Sequence, residues 1–122
     1  MIRLGTALKS QEPPFHRCLV LSDPHATGGM VVLVRVTTND GTWPDRDCIL
    51  KPADWSELDH DSTVAYSTCK FGPAVHALEA AVHRGMFKVI SSPSIEVLRR
   101  VIAAGHAAAG MPPGAKKLLA EV

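Results

Sequence analysis

The sequence lacks most of the features that mark a specialised chain. It has three cysteines, Cys18, Cys48 and Cys69, widely spaced and with no CxxC pair. That excludes a disulfide framework and a cysteine-based zinc site, and fits buried thiols in a reduced compartment. Aromatic residues make up 5% of the chain. Trp43, Trp55, Tyr66 and three phenylalanines are too few and too scattered for a platform that stacks RNA bases. The formal net charge is +1, so no global field holds a polyanion, and nucleic-acid binding requires a local basic patch.

Long apolar runs are also missing. The longest, about Met30 to Val34, is far short of a membrane span. Met1 to Ser10 lack the apolar core of a secretory signal. The expectation is a cytoplasmic chain with no membrane association. No HExxH and no Cys/His zinc spacing occurs, and His76 and His83 sit two helical turns, ~10 Å, apart. No metal or other cofactor is expected. GxGxxG and Walker patterns are absent, and Ser22 has no GxSxG context, which argues against nucleotide binding and a covalent nucleophile.

What remains is an ordinary globular composition. With 122 residues and 46% hydrophobic content, the chain is expected to form one domain, 1–122, with one core. Gly5 to Pro14, ending in Pro13-Pro14, reads as an exposed lead-in. Arg17 to Ser22 is a short apolar run stopped by Asp23-Pro24, and Thr27-Gly28-Gly29 makes a turn. Met30 to Thr37 is strongly β-branched and alternating, the clearest strand in the chain. Arg46 to Lys51 and Ser62 to Thr68 read as third and fourth strands, joined by a polar loop anchored by Trp55 and Leu58. The predicted core takes Val32, Val34, Leu19 or Val20, and Ile49 or Leu50.

After Gly72-Pro73 the period changes. Val75, Leu78 and Val82, with Ala74, Ala77 and Ala81, form a helical stripe ending near Gly85. Met86 to Ile90 reads as a short strand. Ser92-Pro93 places an N-cap and an N1 proline before a second helix with the stripe Ile95, Leu98, Val101 and Ile102. Gly105 and Gly110 weaken its end, and Pro112-Pro113 allows a last short helix. The fold class is α+β. A small curled antiparallel sheet or SH3-like barrel occupies 1–71, and 72–122 is mainly helical.

Few residues here carry chemistry. Arg17 opens one strand and Thr37-Thr38 close the next. An arginine holds a phosphate bidentately and stabilises charge on a pentavalent phosphorane, while a neighbouring hydroxyl orients the phosphate. Such a pair is a minimal constellation for metal-free RNA cleavage, with the 2′-hydroxyl as internal nucleophile. Strand-end Arg and Thr are also ordinary solvated surface. Arg35 shares a face with Thr37. His16 and the cluster Asp59-His60-Asp61 are the acid–base candidates, and the cluster also reads as a polar loop.

These features together resemble the MazF/PemK/Kid-like toxins of toxin–antitoxin systems. The resemblance rests on Arg17-Cys18-Leu19-Val20-Leu21-Ser22, the Val-rich strand closed by Thr37-Thr38, and Leu58-Asp59-His60-Asp61-Ser62, and covers about residues 16–70. It implies an SH3-like barrel and a homodimer that cuts single-stranded RNA without metal. An antitoxin partner would occupy the RNA groove. Arg17 and Thr37 (or Thr38) stand where the family has its catalytic arginine and phosphate-contacting hydroxyl. His16 and Asp61 become proton-transfer candidates, with Arg35 and Thr38 as substrate contacts. Two departures stand out. Pro13-Pro14-Phe15 replaces the usual approach to an Arg-Pro pair, and the later Asp-Gln-x-Arg stretch has no match. The alternatives are a non-catalytic barrel acting as a protein-binding module and a barrel that poisons a protein target such as gyrase.

Overall fold

The computed structural model describes residues 1–13 and 15–121. Pro14, which closes the expected lead-in, lies outside the described residues, as do the side chains of Pro73 and Ala74. The strands are β1 (Ala7–Ser10), β2 (Arg17–Val20), β3 (Met30–Thr38), β4 (Ile49–Leu50), β5 (Ser62–Ala74) and β6 (Phe87–Ile90). The helices are α1 (Val75–His83), α2 (Ile95–Ala107) and α3 (Pro113–Lys116). The described strands form one six-stranded sheet in the order β4-β5-β3-β2-β1-β6, open at both edges. Every pairing is antiparallel. Of the two expected architectures, a curled antiparallel sheet or a barrel, the structure shows an antiparallel sheet that does not close. No described helix is long and apolar enough to cross a membrane.

β3 is central because its alternation supplies two apolar faces at once. On one face Val32, Val34 and Val36 join Leu19, Leu21, Val64 and Tyr66. Leu98, Val101 and Ile102 of α2 and Leu119 beyond α3 pack onto this face. On the other face Val31 joins Leu8, Val20, Ile2 and Leu78 of α1. Leu19 and Val20 are thus both core residues, one per face. Leu50, not Ile49, is the fully buried member of β4.

Several sequence expectations are corrected. The lead-in contains β1, whose Ala7 and Leu8 are completely buried. Pairing with both β2 and β6 makes β1 an inner strand, a consequence of chain topology that a four-residue segment does not reveal. The third strand shrinks to Ile49–Leu50 because the preceding backbone is diverted into a loop. There Asp45 is buried, and its carboxylate accepts bonds from the Ser67 amide at 3.0 Å and the Ser67 hydroxyl at 2.6 Å. The fourth strand runs on to Ala74, across a register shift between Leu33 and Arg35 of β3.

Helix α2 is capped by Ser94, whose hydroxyl accepts from the Val97 amide at 3.2 Å. The cap is therefore two residues later than Ser92, and Pro93 precedes the helix. Ile95 is then 59% exposed and drops out of the stripe. Gly105, expected to weaken the helix, is a contact point. A Cβ there would come within 3.1 Å of the Tyr66 ring and 3.3 Å of Leu119, so glycine lets α2 settle onto the sheet. Tyr66 completes that junction by donating its hydroxyl to the Val101 carbonyl at 2.6 Å.

Candidate functional site

The strand ends of β2 and β3 lie side by side, and a loop over residues 51–61 closes over them. Trp55 fixes this loop. Its ring is buried, and its indole N–H donates to the Ser91 carbonyl at 2.6 Å. Asp54 adds an ion pair with Arg100 of α2 at 3.0 Å. The hydrogen bond from Arg100 and a second from the Lys51 amide hold the Asp54 carboxyl below the usual range. Leu58, also buried, brings Asp59 and His60 to the strand ends.

The result is a cleft of about 80 Å³ whose lining includes His16, Arg17, Thr37, Thr38, Asp59 and His60 over Val36. Arg17 stands opposite Val36 in the register of β2 and β3, so pleating puts Arg17 and Thr38 on one face. Thr37 belongs to the other pleat and still lines the cleft. The Thr38 hydroxyl and His60 Nε2 are 2.7 Å apart. The Nε of Arg17 is buried without a hydrogen-bond partner. An orphaned buried donor costs ~1–3 kcal/mol and calls for an acceptor.

His16 sits at the cleft edge. Its amide donates to the Ser10 hydroxyl at 2.9 Å. Burial first, and then the nearby Arg35 guanidinium, lower its pKa below 6.5. The ring is accordingly neutral at neutral pH and ready to accept a proton.

Two other candidates lie apart from the cleft. Asp61 faces Lys51, with Oδ2 3.4 Å from Nζ. Arg35 lies on the opposite pleat, 5.9 Å from the centre of the Trp43 ring. It lines a separate groove of about 150 Å³ with Cys18, Leu33, Thr68, Lys70 and Phe87. Burial pushes the Cys18 thiol up to about 11, which leaves it protonated and unreactive. His16 borders both spaces. The sequence offers the cluster Asp59-His60-Asp61 as acid–base candidates, and the toxin reading takes Asp61 from it for proton transfer. Alternation along 59–61 separates His60 from its two neighbours, but only the fold tells which side meets Thr38.

A larger cavity, about 370 Å³, lies between the first residues and the start of α2. Arg3 is its sole ionisable side chain, so it holds no acid–base pair, and the smaller cleft is the chemical candidate. Among the described residues no group of three His, Cys, Asp or Glu is placed to hold a metal ion.

No protein-family model and no curated protein matches the sequence. Solved structures do match. Two crystal forms of MazE–MazF from Deinococcus radiodurans superpose with a TM-score of 0.56 each. They are 18% and 16% identical in sequence, and the match covers 91% of this chain and 97% and 98% of theirs. The fold is MazF-like. The match extends well past residues 16–70, where the sequence resemblance lies, so the α1–β6–α2 segment is part of the shared MazF-like architecture rather than an appendage.

Proposed function

We propose that this chain is a MazF-type toxin that cleaves single-stranded RNA without a metal ion. The observation that carries the reading is the unpartnered Arg17 Nε beside the Thr38–His60 pair. A phosphodiester bound in the cleft supplies the acceptor that Arg17 lacks. Thr38 and Thr37 orient its non-bridging oxygens. The substrate's 2′-oxygen attacks the adjacent phosphorus and loses its proton to neutral His16. The P–O5′ bond breaks, and the 5′-oxygen takes a proton from His60. The products are a 2′,3′-cyclic phosphate and a 5′-hydroxyl. Arg17 stabilises the charge that builds on the phosphorane. His60 takes the role that the sequence offered to Asp61, because Asp61 is engaged by Lys51. The antitoxin partner follows from the MazE–MazF complexes that share the fold. The homodimer follows from the sequence resemblance. Both belong to the same proposal.

The test is incubation of purified protein with a long RNA in EDTA, wild type beside Arg17→Ala. Wild type is expected to cut and the variant to be slower by about a hundredfold, the usual loss of one electrostatic transition-state contact. Absence of cleavage by folded wild type refutes the proposal. Equal cleavage by both removes Arg17 from the mechanism.

A further inference from the structure

Three cations stand in one row across three adjacent strands. Lys9 of β1 is the register partner of Arg17 of β2 on one side and of Lys88 of β6 on the other. Directly opposed residues in an antiparallel pair project from the same face with Cβ atoms ~5 Å apart. Lys88, Lys9 and Arg17 therefore form a line that starts at the sheet edge and ends in the cleft. Like charges in directly opposed positions destabilise a sheet, and none of the three has a carboxylate partner among the described residues. Lys9 lies 5.8 Å from the centre of the Phe15 ring, and Phe15 itself lines the cleft. The row is thus continuous with the candidate site, where Asp59 is the one acidic residue of the described lining, is open to solvent at Lys88, and carries no ion pair among the described residues.

We infer that the Lys88–Lys9 row is a track for the RNA backbone, holding the phosphates that flank the one bound by Arg17. The inference rests on the RNA-cleavage reading and extends it by stating where the strand leaves the cleft: over β1 toward the free edge of β6. A polyanion neutralises the like-charge row, and an overall charge of +1 then suffices because the positive charge is concentrated where the strand runs. The cleft is too small for more than one phosphate group, so affinity for a strand has to come from outside it.

The experiment measures binding apart from cleavage. A labelled mixed-sequence 2′-O-methyl oligoribonucleotide, which lacks the nucleophile, is titrated by fluorescence anisotropy over a series of salt concentrations. Lys9→Gln and Lys88→Gln are each expected to weaken binding several-fold and to reduce the slope of log K against log salt by roughly 0.7–1. Lys117→Gln, at an exposed site beyond α3, is expected to change neither. Free Lys88→Gln protein should melt no lower than wild type, since it relieves a like-charge pair, so weaker binding cannot be ascribed to misfolding. Unchanged slopes in both track variants overturn the inference, even if the RNA is cut in an Arg17-dependent way. Shifted slopes with no cleavage by wild type would uphold the track and refute the ribonuclease reading. Binding of poly-glutamate by wild type, with no binding of the oligonucleotide, would overturn the track as well.

Discussion

The two faces of the sheet are covered very unequally. Behind it, α2, α3 and the Trp55 loop seal a wide core that takes in residues from β1 to Leu119. In front, α1 covers a small cluster built from Ile2, Leu8, Val20, Val31 and Leu78. The wide core fixes the sheet as a platform. The thin cover leaves the front of β2 and β3 accessible beside Arg35 and Lys70, and the strand ends of both faces free for chemistry. Arg17, Val36 and Thr38 share the face of the wide core, so the cleft takes its rigidity from that side, while the groove beside Arg35 opens on the thinly covered one.

This contrast is open to measurement. Ile102→Ala, in α2 on the wide core, is expected to destabilise by about 2–5 kcal/mol. Leu78→Ala, in α1, should fall at or below the bottom of that range, because its small cluster borders solvent and can relax. Denaturant titrations of the two variants give the comparison directly. Equal losses would mean that the two faces carry the fold alike.

A smaller effect tests how the wide core is keyed to the sheet. Tyr66→Phe keeps the ring against Gly105 but leaves the buried Val101 carbonyl without its side-chain donor. A loss of about 1–2 kcal/mol is expected. Burial pushes the Tyr66 phenol far above its ordinary value, so this loss should not vary with pH across the neutral range. A change below 0.5 kcal/mol would show that ring packing alone positions α2.

The smallest effect concerns the access side. His16 has a folded pKa below the 6.5 of the free side chain, owing first to burial and then to Arg35. The unfolded chain takes up a proton as pH falls through 6.5, while folded His16 does not until lower pH. Stability is therefore whole above 6.5 and declines as pH falls toward the folded pKa. His16→Asn should flatten this part of the pH–stability curve. An unchanged curve would place the acid sensitivity elsewhere.

How much of this could be read from the sequence follows from the same contrast. β3 was legible because Met30 to Thr37 alternates with β-branched residues over its whole length, and α2 because Leu98, Val101 and Ile102 recur at helical spacing. Trp55 and Leu58 were legible as loop anchors because large apolar residues in a polar stretch need somewhere to go. β1 was not, since Ala7 and Leu8 are buried on opposite faces and give no alternation in four residues. The diversion of the chain at Asp45 depends on Ser67, far along the sequence. The site divides in the same way. Arg17 and the threonines were marked by their position at strand ends, a local property. The Thr38–His60 contact, the engagement of Asp61 by Lys51 and the line from Lys88 to Arg17 are all matters of register, which no single strand contains.

The two tryptophans turn this division of labour into a built-in optical instrument. Trp55 is sealed in the core with its indole N–H bound to Ser91, so its emission should be blue-shifted and change only when the loop or the whole domain opens. Trp43 is half-buried beside Arg35 on the access side, where a passing solute or quencher can reach it. A Trp43→Phe variant would leave a single tryptophan that reports unfolding and ignores the surface, and a Trp55→Phe variant would leave one that a surface quencher can reach.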